Sequence, residues 1–183
     1  MVRLATLAAL GHRLPDLGYA GGLYPDQPFV AVKAPVFSFA KLAELDTSLG
    51  PEMKSTGEVM GIDLDLPHAL YKALRAAGLF LPIAGHILAT VADKDKDEAL
   101  PLLQQFSQLG YTIYATDGTA KALTSLDVPA RRVNKIAEGT PHVEDWIRQG
   151  AIDLVINTLT KGKTPERDGF RIRRAAAELN IPC

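Results

Sequence analysis

The stretch GHILATVADKDKDEALPLLQQFSQLGYTIYATDGTAKAL, residues 85–123, decides the fold. It opens on a short apolar run, His86–Val91, which reads as a buried strand. A charged turn follows at Asp93-Lys94-Asp95-Lys96. Asp97–Leu109 then sets Leu102, Leu103, Phe106 and Leu109 on one helical face, with Gly110 just past the last turn. Pro101 falls in the first turns, where a missing N–H is tolerated. Tyr111–Ala115 returns to strand character and Gly118–Leu126 to a short helix. Towards the C-terminus the alternation continues. Ala130–Val133 is a strand, and Thr140-Pro141 opens a helix with Val143, Trp146 and Ile147 apolar, ended by Gly150. Leu154–Asn157 is a strand, Arg167–Leu179 a helix, and Ile181 begins a fifth strand. Short apolar strands alternating with helices predict an α/β fold, a doubly wound parallel sheet covered by helices on both faces.

Towards the N-terminus the texture changes. Pro67, Leu70, Leu74, Ala77 and Gly78 mark a helix over residues 67–78, and 79–85 reads as a linker. Residues 1–65 are rich in turns, such as Pro15-Asp16, Gly21-Gly22, Tyr24-Pro25-Asp26 and Leu49-Gly50-Pro51. Between them Phe29–Val32 and Val36–Phe39 read as short strands, with Pro35 restricting pairing to an edge or a break. Helix is expected there only at Leu4–Leu10, so this region is not expected to fold alone. The division is therefore 1–80 and 81–183. A strand that starts at Ile181 has no room to finish, which predicts a C-terminally truncated second unit.

Composition narrows the function. Lys plus Arg number 20 and Asp plus Glu 21 among 183 residues, for a formal charge of −1. That balance argues against a nucleic-acid protein held by bulk charge. The apolar share is 47%, with a mean hydropathy of +0.05, enough to bury a core. One cysteine, Cys183, excludes an internal disulfide, and the four histidines are too scattered for a metal cluster. The longest uncharged run, Ala76–Ala92, is punctuated by Pro82, His86 and two glycines, so neither a membrane span nor a leader stands out. The expectation is a cytoplasmic protein.

In an open α/β sheet, ligands bind beyond the carboxyl ends of the strands. There the sequence places Asp93–Lys96, Thr116-Asp117-Gly118-Thr119, Asn134-Lys135, Asn157-Thr158 and Thr160–Thr164. The inventory suits a phosphate. The Thr116–Thr119 turn opens a helix whose N–H groups point outward, and Gly118 permits close approach. Thr116 and Thr119 carry hydroxyl donors, Lys96 and Lys135 supply charge, and Asn157 can read a sugar or base. Gly162-Lys163-Thr164 imitates the end of a P-loop but lacks its first glycine, which is Asn157 here. Glu52, Glu58 and Asp63 read as exposed or capping carboxylates.

Pro51-Glu52-Met53-Lys54-Ser55-Thr56-Gly57-Glu58-Val59-Met60-Gly61 resembles a run near the end of the second ATP-grasp unit of the carbamoyl phosphate synthase large subunit. Ala115–Ala120, Arg132-Val133-Asn134-Lys135, Glu138-Gly139, Pro141-His142, Ile156-Asn157-Thr158 and Arg167–Ala175 resemble the methylglyoxal-synthase-like domain that ends the same subunit. The resemblance covers roughly residues 20–183, in order. It implies that 1–80 is a C-terminal remnant of ATP-grasp and 81–183 a regulatory domain binding an effector nucleotide such as UMP or IMP. By position it implies Lys96, Thr116, Gly118, Thr119 and Lys135 around the effector phosphate, and Asn157 and Thr158 near its nucleoside. The implied partners are the rest of the large subunit and the small subunit that draws ammonia from glutamine. ATP and magnesium are implied for the full enzyme and no cofactor for this portion, which lacks the ATP-grasp catalytic parts. Ala34 stands where some members carry an ornithine-binding glutamate, and Leu159 replaces a second threonine.

Two other readings share the fold. One is a stand-alone methylglyoxal-synthase-type lyase, which needs a carboxylate base. Its family's acid has no counterpart in Gly139-Thr140-Pro141-His142, leaving only Asp117 and Asp145. The other is a structural piece serving homo-oligomerisation.

Overall fold

A computed structural model describes residues 2–19, 21–23, 25–37, 50–158 and 168–183. The first helix, α1 (Val2–Ala9), buries none of its residues. β1 (Val30–Phe37) and β2 (Ser55–Asp63) pair antiparallel, from Val30 opposite Asp63 to Phe37 opposite Ser55. Helix α2 (Leu66–Ala76) lies on them and buries Ala69 and Ala73.

β2 covers a stretch that the sequence reading took as turn-rich. Of its inward positions Ser55, Gly57, Val59 and Gly61, only Val59 is a sizeable apolar residue, so no apolar alternation registers. Gly61 explains itself in three dimensions. A Cβ there would overlap the Ala69 carbonyl and the Ala73 amide, so only glycine lets α2 approach this closely. The two expected strands around Pro35 are one strand, β1, with Pro35 opposite Glu58. Each strand of a two-stranded sheet is an edge, where proline is tolerated. The end of the expected strand, residues 38 and 39, lies outside the described residues.

The second part begins at β3 (His86–Thr90) and continues through α3 (Lys96–Gln108), β4 (Thr112–Thr116), α4 (Asp117–Thr124), β5 (Ala130–Val133), α5 (Val143–Arg148), β6 (Leu154–Asn157) and α6 (Asp168–Glu178). The strands stand in the order β5-β4-β3-β6, all parallel. The expected boundaries hold within a residue or two for the strands. α5 differs: its cap is His142, whose ring accepts the Asp145 N–H while the Asp145 carboxylate accepts the His142 N–H at 2.9 Å. Ile181 does not begin a strand. Its N–H closes α6 on Ala176, and only the Pro182 carbonyl reaches β6, accepting the Val155 N–H at 2.8 Å.

Alternate strand residues feed opposite cores, as a pleated sheet requires. Ile87 and Ala89 pack with Leu103, Ile113 and Leu123 beneath α3 and α4. Leu88 and Tyr114 pack with Val143, Ile147 and Ile172 beneath α5 and α6. The sheet is thus doubly wound. From β3 the chain steps outward to β4 and β5, then crosses back to β6 on the far side of β3. The switch point therefore lies between the carboxyl ends of β3 and β6, where connections leave on opposite faces. Among the described residues, no helix is long and apolar enough to cross a membrane.

Candidate functional site

At the end of β3 the ladder runs out, and a side chain replaces it. The Thr119 hydroxyl accepts the Val91 N–H at 3.1 Å and lies 3.4 Å from the Val91 carbonyl, as its donor. Thr119 is buried. One residue on, the Ala92 N–H donates to the Thr158 hydroxyl at 2.8 Å, which ties the turn after β3 to the end of β6. The turn Asp93–Asp95 then delivers Lys96 to the start of α3.

Lys96 reaches across to the neighbouring loop. Its Nζ donates to the Gly118 carbonyl at 3.0 Å and pairs with Asp93 at 2.6 Å. The lysine side chain is only 19% exposed, whereas that of Asp93 is 95% exposed, so the aspartate is the partner free to swing away. Thr116 caps α4 with extended backbone, and its hydroxyl makes no capping bond. Gly118 has no left-handed backbone requirement; a Cβ there would stand 3.6 Å from the Lys96 ammonium. Asp117, the first residue of α4, pairs with Lys121 at 2.8 Å and Arg132 at 3.2 Å.

Electrostatics bind these loops into one cluster. The Lys96 hydrogen bond, and then the Lys96 and Lys135 charges, hold the Asp93 carboxyl below its ordinary value. Asp117 is lowered in the same sense, first by Lys121 and then by the charges of Arg132 and Lys135. Asp95 is lowered by the Thr158 hydroxyl and by Lys94. Lys135 thus acts on carboxylates of two different loops.

On the β6 side, Asn157 sits between two partners. Its Nδ2 donates to the Thr90 hydroxyl at 2.6 Å, and its Oδ1 accepts from Arg173 Nη1 at 2.9 Å. Gly169, at the start of α6, keeps this contact open, because a Cβ there would lie 3.3 Å from both Arg173 Nη1 and Asn157 Oδ1.

The structure therefore brings Lys96, Thr116, Gly118, Thr119 and Lys135 together around the start of α4, with Asn157 and Thr158 beside them at the end of β6. Not all of their polar groups face outward. The hydroxyls of Thr119 and Thr158 are engaged with the backbone that ends β3. Sequence reasoning passed over Thr90, which the strand-end rule itself selects, and Asp93 and Asp117 as counter-charges. Arg173 had no signal, since nothing in the sequence links it to Asn157. Residues 159–167, including Leu159 and the P-loop imitation at 162–164, lie outside the described residues. Glu58 and Asp63 sit apart from this edge and pair with Lys33 and Lys72, each at 2.8 Å. Asp145, a fallback base, is the reciprocal cap of His142.

Ala34 lies elsewhere, in the wall of a cavity of about 410 Å³ between β1, α2 and the end of α6. Arg173 is the single charged side chain among the described residues that line it.

These observations define a doubly wound α/β domain that gathers cations, hydroxyls and a helix N-terminus at its carboxyl edge. Residues 98–183 match the family model described as the MGS-like domain. The chain thus carries an MGS-like domain, and the matched span starts within α3 and takes in β4 to β6 and the helices between and after them.

Proposed function

We propose that the sheet edge binds the phosphate of an effector nucleotide of the UMP or IMP type, and that the chain is the regulatory portion of a carbamoyl phosphate synthase large subunit. The carrying observation is the contact of Lys96 with the start of α4 at the carboxyl ends of β3 and β4, with the Lys135 charge acting on Asp93 and Asp117 from the end of β5. A phosphate entering there displaces the exposed Asp93 carboxylate from Lys96 and takes over a preformed ammonium donor. Charge-assisted bonds of this kind are roughly twice as strong as neutral ones. The N–H groups that open α4 add dipole and donors to the same spot.

In this reading residues 1–80 belong to the end of an ATP-grasp unit. The apolar side chains that β2 and its following turn leave exposed, among them Met60, Ile62 and Leu64, support that assignment, since the rest of the subunit would cover them. ATP, magnesium and the ammonia-supplying small subunit belong to that larger assembly. A response to ornithine is not expected, because Ala34 contributes no carboxylate and Arg173 opposes an ammonium group in the same cavity.

The lyase reading needs a base poised near neutrality. Asp93, Asp95 and Asp117 are all shifted the other way, towards weaker bases. We therefore favour binding without turnover.

Calorimetric titration with UMP, IMP and inorganic phosphate tests the proposal, repeated on Lys135→Ala. Binding that weakens about tenfold in the variant, and weakens with salt, is the expected result. Binding unaffected by the substitution would remove the phosphate site. Release of methylglyoxal from dihydroxyacetone phosphate would replace the regulatory reading with the lyase.

A further inference from the structure

We infer that Arg173 is a positioning residue that fixes the hydrogen-bond polarity of the Asn157–Thr90 pair at the switch point. The inference rests on the effector-site reading and adds to it a residue from α6 that the strand-end loops do not contain.

The argument is one of donors and acceptors. A carboxamide has two faces of opposite character, and rotation by half a turn exchanges them. Asn157 alone has no preference between them. Arginine is a donor only, at every accessible pH. Its Nη1, 2.9 Å from Asn157 Oδ1, therefore forces the oxygen towards α6 and the NH2 towards β3. The NH2 then donates to the Thr90 hydroxyl at 2.6 Å, which must accept. A hydroxyl that accepts still has its own hydrogen to donate. Among the described residues, Arg173 thus leaves the β3–β6 crevice with a spare hydroxyl hydrogen on Thr90 and a spare amide hydrogen on Asn157. Both call for an acceptor, the character of phosphate and carbonyl oxygens.

The local build supports a dedicated contact. Arg173 and Asn157 are half-buried, and glycine at 169 keeps the space beside both groups clear. Thr90 is held from behind, its carbonyl accepting the Thr158 N–H at 3.1 Å. Without Arg173 the Asn157 oxygen loses its donor and turns to accept the Thr90 hydroxyl, which consumes that hydrogen internally.

The test uses the full chain and UMP, with affinity measured by calorimetry and folding checked by thermal melts. Arg173→Met removes the donor and is expected to weaken UMP about tenfold, the value of one oriented hydrogen bond. Arg173→Lys keeps a donor-only group and is expected to lose less than threefold. Arg173→Gln, which donates and accepts equally well, is expected to behave like the methionine variant. Asn157→Ala with Arg173→Met is expected to be no weaker than Asn157→Ala alone, because the arginine acts through the asparagine. Should the methionine variant fail to fold, the lysine and glutamine pair carries the comparison. Losses that add in the double variant, or equal losses for lysine and glutamine, overturn the inference. Wild-type protein that binds neither UMP nor IMP overturns the effector site as well, whereas full affinity in Arg173→Met overturns the positioning role alone.

Discussion

Replacing Thr119 by valine changes almost no volume and raises hydrophobicity in a buried position, so packing alone predicts a gain. The structure predicts a loss. Thr119 is 1% exposed, and its hydroxyl is the partner of the Val91 N–H at 3.1 Å. β3 pairs with β4 only as far as Ala89 and with β6 only as far as Thr90, so no strand stands ready to take that N–H over. Leaving one buried donor unsatisfied costs about 1–3 kcal/mol. The neighbouring carbonyl loses a weaker contact at 3.4 Å. Taking about 2 kcal/mol, and about 2–4 °C per kcal/mol for a chain of this size, the melting temperature falls by about 4–8 °C. Thr119→Ser keeps the hydroxyl and gives up one methyl group, at about 0.8 kcal/mol. The expected fall there is about 2–3 °C. Thermal denaturation followed by circular dichroism decides between the two accounts. A valine variant as stable as wild type, or more stable than the serine variant, would refute the idea that this hydroxyl terminates β3.

Gly61→Ala should lift α2 off the hairpin, because the new methyl group meets backbone atoms of Ala69 and Ala73 that cannot rotate away; limited proteolysis should then cut within residues 50–76 while the parallel sheet keeps its melting transition. Asp93→Asn should strengthen phosphate and UMP binding about threefold, since it removes the competitor that holds Lys96 at 2.6 Å; calorimetry that shows weaker binding would mean that Asp93 helps the ligand. His68 should titrate above the ordinary imidazole value of 6.5, raised mainly by its hydrogen bond with Asp65 and then by that carboxylate's charge. The imidazolium–carboxylate contact therefore supports the start of α2 fully below that ordinary value, and its support fades as pH rises through the raised value. An NMR pH titration of His68 in Asp65→Asn should shift back towards 6.5.

Most of the parallel sheet was legible because β3, β4 and β6 are largely buried on both faces. His86–Thr90 and Leu154–Asn157 need apolar residues at nearly every position, and helices between them need a 3.6-residue rhythm, so two incompatible periods mark the boundaries. β2 had no such marking. One of its faces is filled by the backbone of α2 rather than by side chains, and a glycine at 61 is what that packing asks for. Read locally, the same glycine is a turn residue. The tail at Ile181 failed for a related reason: its apolar character serves the core beneath α6, with a single bond to β6.

The site divides along the same line. A topological rule places every loop that follows a parallel strand on one edge, so Lys96, Thr116, Lys135 and Asn157 could be grouped without coordinates. Which of their polar groups remain available is a matter of pairwise geometry, and there composition is silent. Two threonines look alike in sequence, yet Thr116 stands at the helix start without a capping bond while Thr119 is consumed by Val91. Lys96 looks like a free cation, yet Asp93 and the Gly118 carbonyl already hold it. The consequence for an anion is specific. In the proposed site its binding would exchange one ion pair for another at Lys96, so the gain there would be the difference between a buried-side phosphate contact and an exposed carboxylate contact, not the whole of either. On the proposed reading, affinity at this edge would be governed by how readily Asp93 leaves, a residue that a count of lysines and hydroxyls would not include.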